Sequence, residues 1–290
     1  MATNHAIEFL IWLLIAASVI AVAAARLKVP YTVALVIGGL VVGFLHRLPI
    51  VEAVSQGHRP NWLTPDVILI LFLPPLLFEG SIKIRLRYLR ENLIPILLLA
   101  NAGVLVATVI TGFAIHWLFG LPLIIALVFG SIISATDPIS VISIFQEMGV
   151  NARLSMILEG ESLFNDGTAI VLFAILVAGI SSGKLSVARG IAQFLVVVLG
   201  AAALGFFLGY LFSKITQQID EPRIEITLTT ILAYSAYLIA QSLHLSGVIA
   251  TVAAGIVVGN FGMDVGMSSR TRAAVWSFWE YASFVINSVL

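Results

Sequence analysis

The chain has no cysteine, and charged residues make up only 10% of its 290 positions. Without cysteine there are no disulfides and no thiolate metal sites, although the compartment stays open. A soluble domain carries about 25% charged residues to cover itself in water-facing groups. This chain has 15 basic and 15 acidic residues, a net charge of zero, and offers nothing that would attract nucleic acid. What is abundant is apolar: 60% of residues, with a mean hydropathy of +1.09. Lipid is therefore the expected solvent, and composition overrides the one or two soluble domains that length alone would allow.

A spanning helix needs about 20 mostly apolar residues. Ten segments meet or approach this: 7–25, 30–48, 65–82, 92–118, 121–146, 155–180, 188–213, 225–242, 246–260 and 274–290. Their length, and the lack of ten-residue alternation, argue for helices and against a barrel. The first run has no Lys or Arg before it, so it reads as a retained helix and not a cleaved signal. With the N-terminus outside, the inner loops hold Arg26, Lys28, Lys83, Arg85, Arg87, Arg90, Arg153, Lys214, Arg223, Arg270 and Arg272. Only Arg47, Arg59, Lys184 and Arg189 fall outside. That bias sets the expected orientation. The chain ends in an apolar stretch without flanking charge, which reads as a C-terminal truncation.

Residues 30–43 (PYTVALVIGGLVVG) and 246–259 (SGVIATVAAGIVVG) match in register, Ala34 facing Ala250, Gly39 facing Gly255 and Gly43 facing Gly259. Two Gly/Val-rich helices can match by chance. These two lie seven helices apart, however, and so run in opposite directions, as in inverted-repeat transporters. The expected organisation is a first repeat over 1–187, a linker helix over 188–223, and the start of a second repeat over 224–290.

Ionisable groups at membrane depth are costly and suggest function. Glu79 follows the Pro74-Pro75 break, and Asp137 interrupts 121–146 within Ser134-Ala135-Thr136-Asp137-Pro138. Pro138 lacks an amide donor and disfavours helix at the residue before it, so the backbone should unwind there. A plain proline kink is the simpler alternative. Unwound carbonyls can coordinate a cation, and they survive in a membrane only where they line a cavity or pack within protein. On the sixth segment Ser162 and Asp166 are spaced i, i+4 and share a face. Ser162, Asp166, Glu79 and the Thr136 carbonyl would make an oxygen site for a hard monovalent cation. Glu161 reads as half of a structural ion pair. Asn101 and His116 read as packing groups, and the basic run 83–90 as a membrane-face anchor.

The stretches FGSIISATDP (129–138) and GESLFNDG (160–167) closely resemble motifs of monovalent cation–proton antiporters of the first type. LPPLLFEG (73–80) and HLSG (244–247) are similar too. The resemblance implies an all-α polytopic fold with crossed, broken helices, thirteen in the family against about ten here, and homodimers. It implies that Asp166 binds sodium (or lithium or potassium) and a proton in turn, and that Ser162, Glu79 and the Thr136 backbone complete the site. Asn165 would support it, Asp137 would sit where broken helices cross, and Glu161 would pair with an arginine beyond Leu290. Electroneutral exchange in a plasma (inner) membrane, with no cofactor, is the expected activity. A channel or ion-sensing module on the same scaffold is the alternative. An intramembrane hydrolase, built on Gly160-Glu161-Ser162 and His244, is a remote one, since no G-x-S-x-G or H-E-x-x-H occurs.

Overall fold

The structure is a computed structural model that describes residues 2–27, 31–45, 64–136, 138, 141, 145, 148–182 and 187–289. The described residues with regular structure are all helical. The chain divides into two compact units, Met1–Leu73 with Ser277–Leu290, and Pro74–Trp276.

The first unit holds α1 (Ala2–Leu27) and α2 (Tyr31–Leu45), which pack on each other. Its faces keep large apolar groups outward, such as Trp12 and Leu40, as lipid-facing helices do. The unit also takes in the start of α3 (Pro65–Ile82) and most of α12 (Ser269–Val289). Thr64 begins α3 by accepting the Val67 amide at 3.3 Å, with Pro65 in the first helical position, where no amide donor is needed.

The second unit continues through α4 (Leu86–Glu91), α5 (Leu93–Leu98), α6 (Val104–Phe119), α7 (Leu123–Ile133), α8 (Ala152–Ser182), α9 (Val187–Thr216), α10 (Pro222–Ser242) and α11 (Gly247–Val257). Among the described residues, four helical stretches are long and apolar enough to cross a membrane: Leu93–Phe119, Arg153–Ile180, Gly190–Thr216 and Pro222–Ser242. Along them, Trp117 is 84% exposed and Val196 67%. Apolar groups face outward as well as inward, so water cannot be the outer solvent.

The ends of these helices follow from local sequence. Gly120, at φ +67°, closes α6 by returning its amide to the His116 carbonyl at 2.9 Å. Between α10 and α11 that left-handed position is filled by His244, at φ 57°. The Leu245 amide reaches back to Ala240 O at 2.8 Å and the His244 amide to Gln241 O at 3.0 Å, a Schellman closure with a histidine where glycine is usual. Ser246 then caps α11 by accepting the Ile249 amide.

α11 is buried on all sides, as a core helix must be when it is apolar all round. It lies against α9 with almost no side chain between the backbones. A Cβ on Gly209 would fall 2.9 Å from Ala254 O, and one on Gly205 would run into the Ala250 carbonyl. Ala201, Ala240, Ile249 and Ala250 form the centre of this packing.

Among the described residues, helices lie in nearly the places expected for the spans, with three differences. The 92–118 segment is α5 and α6 joined through a π turn, Leu99–Gly103. The 246–260 segment runs on past α11 as a second π stretch, Val258–Gly266. The basic run 83–90 includes a short helix of its own, α4. A π turn adds a residue without altering composition, so apolar run length cannot detect it.

Candidate cation site

The interruption expected in 121–146 is there. α7 ends at Ile133, Ser134 makes a turn, and Ala135 and Thr136 are not helical. Two glycines set where this end lies. Gly130 allows α7 against α6 so closely that a Cβ would fall 2.5 Å from Thr108 O, and Gly112 on α6 meets Leu127 in the same way. The freed backbone is received by α8, which is itself pressed into the bundle by Gly160 against Ile96 and Gly167 against Ile249.

α8 presents four polar side chains in one turn and a half, Glu161, Ser162, Asn165 and Asp166. The Ser162 hydroxyl donates to Thr136 O at 3.0 Å. Asn165 is fully buried. Its amide nitrogen donates to Thr136 Oγ1 at 2.8 Å, to Glu161 Oε1 at 2.8 Å, and more weakly to Thr136 O at 3.4 Å. Its carbonyl oxygen is buried and accepts no hydrogen bond. A buried amide oxygen without a donor costs about 1–3 kcal/mol, so an occupant that supplies positive charge is favoured there. Ser162, partly buried, brings a hydroxyl oxygen to the same place. Its proton is spent on Thr136 O and its lone pairs remain to accept. Asp166 follows Asn165 and is half-buried.

Of the residues expected in the site, the structure thus brings together Thr136, Ser162 and Asn165. Ser162 and Asn165, at i, i+3, both meet Thr136. Glu161 finds its polar partner in Asn165, within the same helix. Glu79, near the end of α3, pairs with Lys83 Nζ. Among the described residues no hydrogen bond joins it to Thr136, Ser162 or Asn165. Asp137 lies outside the described residues. Ser162 donates to a backbone carbonyl and not to a histidine, while His244 serves a helix end, so nothing here assembles a hydrolytic pair. His116 and Asn101 are packing groups, as expected. The His116 ring lies 2.6 Å from Leu121 O across the turn, and Asn101 accepts the Thr168 hydroxyl at 3.2 Å, tying the π turn to α8.

Sequence reasoning missed Asn260. Its amide nitrogen donates to Ile84 O at 2.8 Å and Ile256 O at 2.7 Å, and its oxygen accepts the Leu86 amide at 2.6 Å. It closes the α3–α4 link onto the π stretch after α11. Gly255 near the end of α11 and Gly259 in the π stretch let this part of the chain touch Ser81 and Ile82 directly. An asparagine inside an apolar run was the available signal. Arg153, read as a loop charge, likewise holds Asn92 at 2.7 Å.

Long apolar helices, packed beside a shorter one that unwinds where a neighbour supplies polar groups, define an all-helical membrane-protein fold. The chain belongs to the family described as "Sodium/hydrogen exchanger, transmembrane", whose pattern matches residues 13–290. It is 44% identical over 265 residues to the Na(+)/H(+) antiporter ApNhaP of Aphanothece halophytica, covering 91% of this chain and 49% of that protein. It is 38% identical over 288 residues to the Na(+)/H(+) antiporter NhaH of Halobacillus dabanensis, covering 98% of this chain and 71% of that one. The chain spans about half the length of the first of these curated relatives, and 48% of the Low-affinity Na(+)/H(+) antiporter NhaS1 of Synechocystis. Its fold is that of the sodium proton antiporter MjNhaP1 from Methanocaldococcus jannaschii, with a TM-score of 0.75 at 23% identity, over 100% of this chain and 71% of that one.

Proposed function

We propose that this chain carries the cation site of a secondary transporter that exchanges sodium, or lithium or potassium, for protons, and that it is not an enzyme. The observation that carries the reading is the receipt of the unwound Thr136 backbone by Ser162 and Asn165, which leaves a buried amide oxygen without a donor. Hydroxyl, amide carbonyl, backbone carbonyl and carboxylate oxygens suit a hard monovalent ion. Asp166 is the group for which cation and proton compete. Asn165 holds Thr136 and Glu161 in place with its nitrogen and offers its oxygen inward. Asp137 acts beside the unwound backbone, and Glu79 joins the set when it is released from Lys83. The transported ions are substrates, and the chemistry calls for no cofactor.

Further parts of the reading rest on sequence. The inverted-repeat division at 187 and 223, the N-terminus outside, residence in the plasma (inner) membrane and a homodimeric state all belong to it. With one carboxylate alternately neutralised by a cation or a proton, each half-cycle moves the same charge, so exchange is electroneutral.

The test is a pH-reporting proteoliposome assay with sodium, lithium and potassium, run with the membrane potential clamped at several values. Exchange that ignores the potential and vanishes in Asp166→Asn supports the reading. Cation flux without proton movement indicates a channel. An Asp166→Asn variant that still exchanges moves the proton to another carboxylate.

A further inference from the structure

Lys83 is a basic side chain found on a residue expected to hold the transported ion. It follows directly on α3, one turn beyond Glu79, and its Nζ pairs with Glu79 Oε1. Glu79 is 13% exposed at its side chain and Lys83 41%, so the carboxylate is sheltered while the lysine stem reaches it from the wet side. The two have unequal freedom. The backbone at the end of α3 is pinned by the contacts of Gly255 with Ser81 and of Gly259 with Ile82, and by the Asn260 bridge to Ile84 and Leu86. Lys83 has four rotatable carbons beyond that fixed point. Glu159, exposed on α8, lies within electrostatic reach of both Lys83 and Glu79. Here α3 and α8 approach through Gly80, whose Cβ would meet Leu163 at 3.7 Å.

We propose that Lys83 is a tethered competitor for the transported cation: its ammonium holds Glu79 while no ion is bound, and moves to Glu159 when the ion takes Glu79. The inference rests on the exchange reading given above, in which Glu79 is a ligand. An ammonium and a sodium ion carry the same charge. Trading one for the other at Glu79 therefore leaves the carboxylate neutralised throughout, and Lys83, being tethered, carries no charge across. Lys83 would raise the cation concentration needed to fill the site, and Glu159 would lower it by giving Lys83 somewhere to go. The two residues thus act on affinity with opposite sign, and the effect of Glu159 runs through Lys83, so Glu159→Gln should be silent in a Lys83→Met background, where independent charges would still add. A half-exposed pair of this kind is worth at most about 1 kcal/mol, so the shifts should be about two- to fivefold.

The experiment measures sodium-dependent thermal stabilisation of the purified protein in detergent, which reads cation affinity whether or not exchange occurs, alongside the KM for sodium in proteoliposomes. Lys83→Met should need about two- to fivefold less sodium for half-maximal stabilisation and show a KM lowered by the same factor. Glu159→Gln should need correspondingly more, and Lys83→Arg should restore wild-type behaviour. Shifts of the same sign in Lys83→Met and Glu159→Gln, or none in either, overturn the proposal. Should Lys83→Met fail to fold, Glu159→Gln and Lys83→Arg still decide it, since an unmoved midpoint in Glu159→Gln overturns it alone. If the wild type binds sodium but does not exchange it, the exchange reading fails while the midpoints still judge Lys83.

Discussion

Replacing Asn165 by leucine tests whether the amide holds the site together. The side chains are nearly equal in size, so the swap leaves no cavity of consequence and removes hydrogen bonds alone. Asn165 is fully buried and makes two short bonds with its nitrogen, one to the Thr136 hydroxyl and one to the Glu161 carboxylate, each 2.8 Å. The neutral bond contributes roughly 1 kcal/mol and the bond to a charged acceptor roughly 1.5–3. The added methyl groups recover part of the loss, since they transfer favourably into an apolar interior, and so does removal of the amide oxygen that has no donor. The expected destabilisation is about 1–3 kcal/mol, or about 2–8 °C in the midpoint of thermal unfolding followed by tryptophan fluorescence in detergent. Asn165→Asp makes the argument sharper. Ionised, the new carboxylate has no proton to give and faces the Glu161 oxygen at hydrogen-bond distance. Protonated, it can donate much as the amide does. Its deficit should therefore shrink as the pH is lowered. A leucine variant within 1 kcal/mol of wild type, or an aspartate variant indifferent to pH, would show that Asn165 does not clamp these two elements.

Two other substitutions follow from the helix ends. Asn260→Ala removes the bridge to Ile84, Leu86 and Ile256. It should cost about 1–3 kcal/mol and speed amide hydrogen exchange at Leu86 well beyond that of neighbouring amides; equal exchange would refute the role. His244→Gly relieves a left-handed backbone that costs an L-residue roughly 1 kcal/mol and should raise the unfolding midpoint slightly, whereas a lowered midpoint would mean that the imidazole itself contributes.

Apolar run length was enough to place the spans, because a helix in lipid must satisfy its own backbone and so announces itself over some twenty residues. Pro138 announced the break after Ile133 in the same way, since a missing donor is a local property. The partners across the break were only half legible. Spacing put Ser162 and Asp166 on one face of α8, and the Ser162 contact with Thr136 was found. Which neighbouring residue joins it depends on how α7 approaches α8, and that is decided by Gly130 on Thr108 and Gly160 on Ile96, contacts between residues far apart in sequence. The same holds for Glu79. Its depth in the chain marked it as a ligand, yet the nearest cation to it is Lys83, which charge counting had assigned to the membrane face. The π stretches at Leu99–Gly103 and Val258–Gly266 escaped altogether, as they change hydrogen-bond register and not residue type.

The close meeting of α9 and α11 restricts how this part of the molecule can move. Gly205 and Gly209 sit one helical turn apart, and each faces a carbonyl of α11, Ala250 and Ala254, that is also one turn from its fellow. The pair meshes like a gear and rack. Between one seating and the next, about 5.4 Å along the axis, Ala201 or Ser213, one turn from the two glycines on α9, would be brought against these carbonyls. A small glide of α11 along α9 is therefore barred, and any motion that carries one must either carry both or separate them first. A transporter needs a part that shifts and a part that stays. Whichever of these α11 belongs to, α9 belongs to it as well, and a crosslink between the two should leave the working cycle untouched.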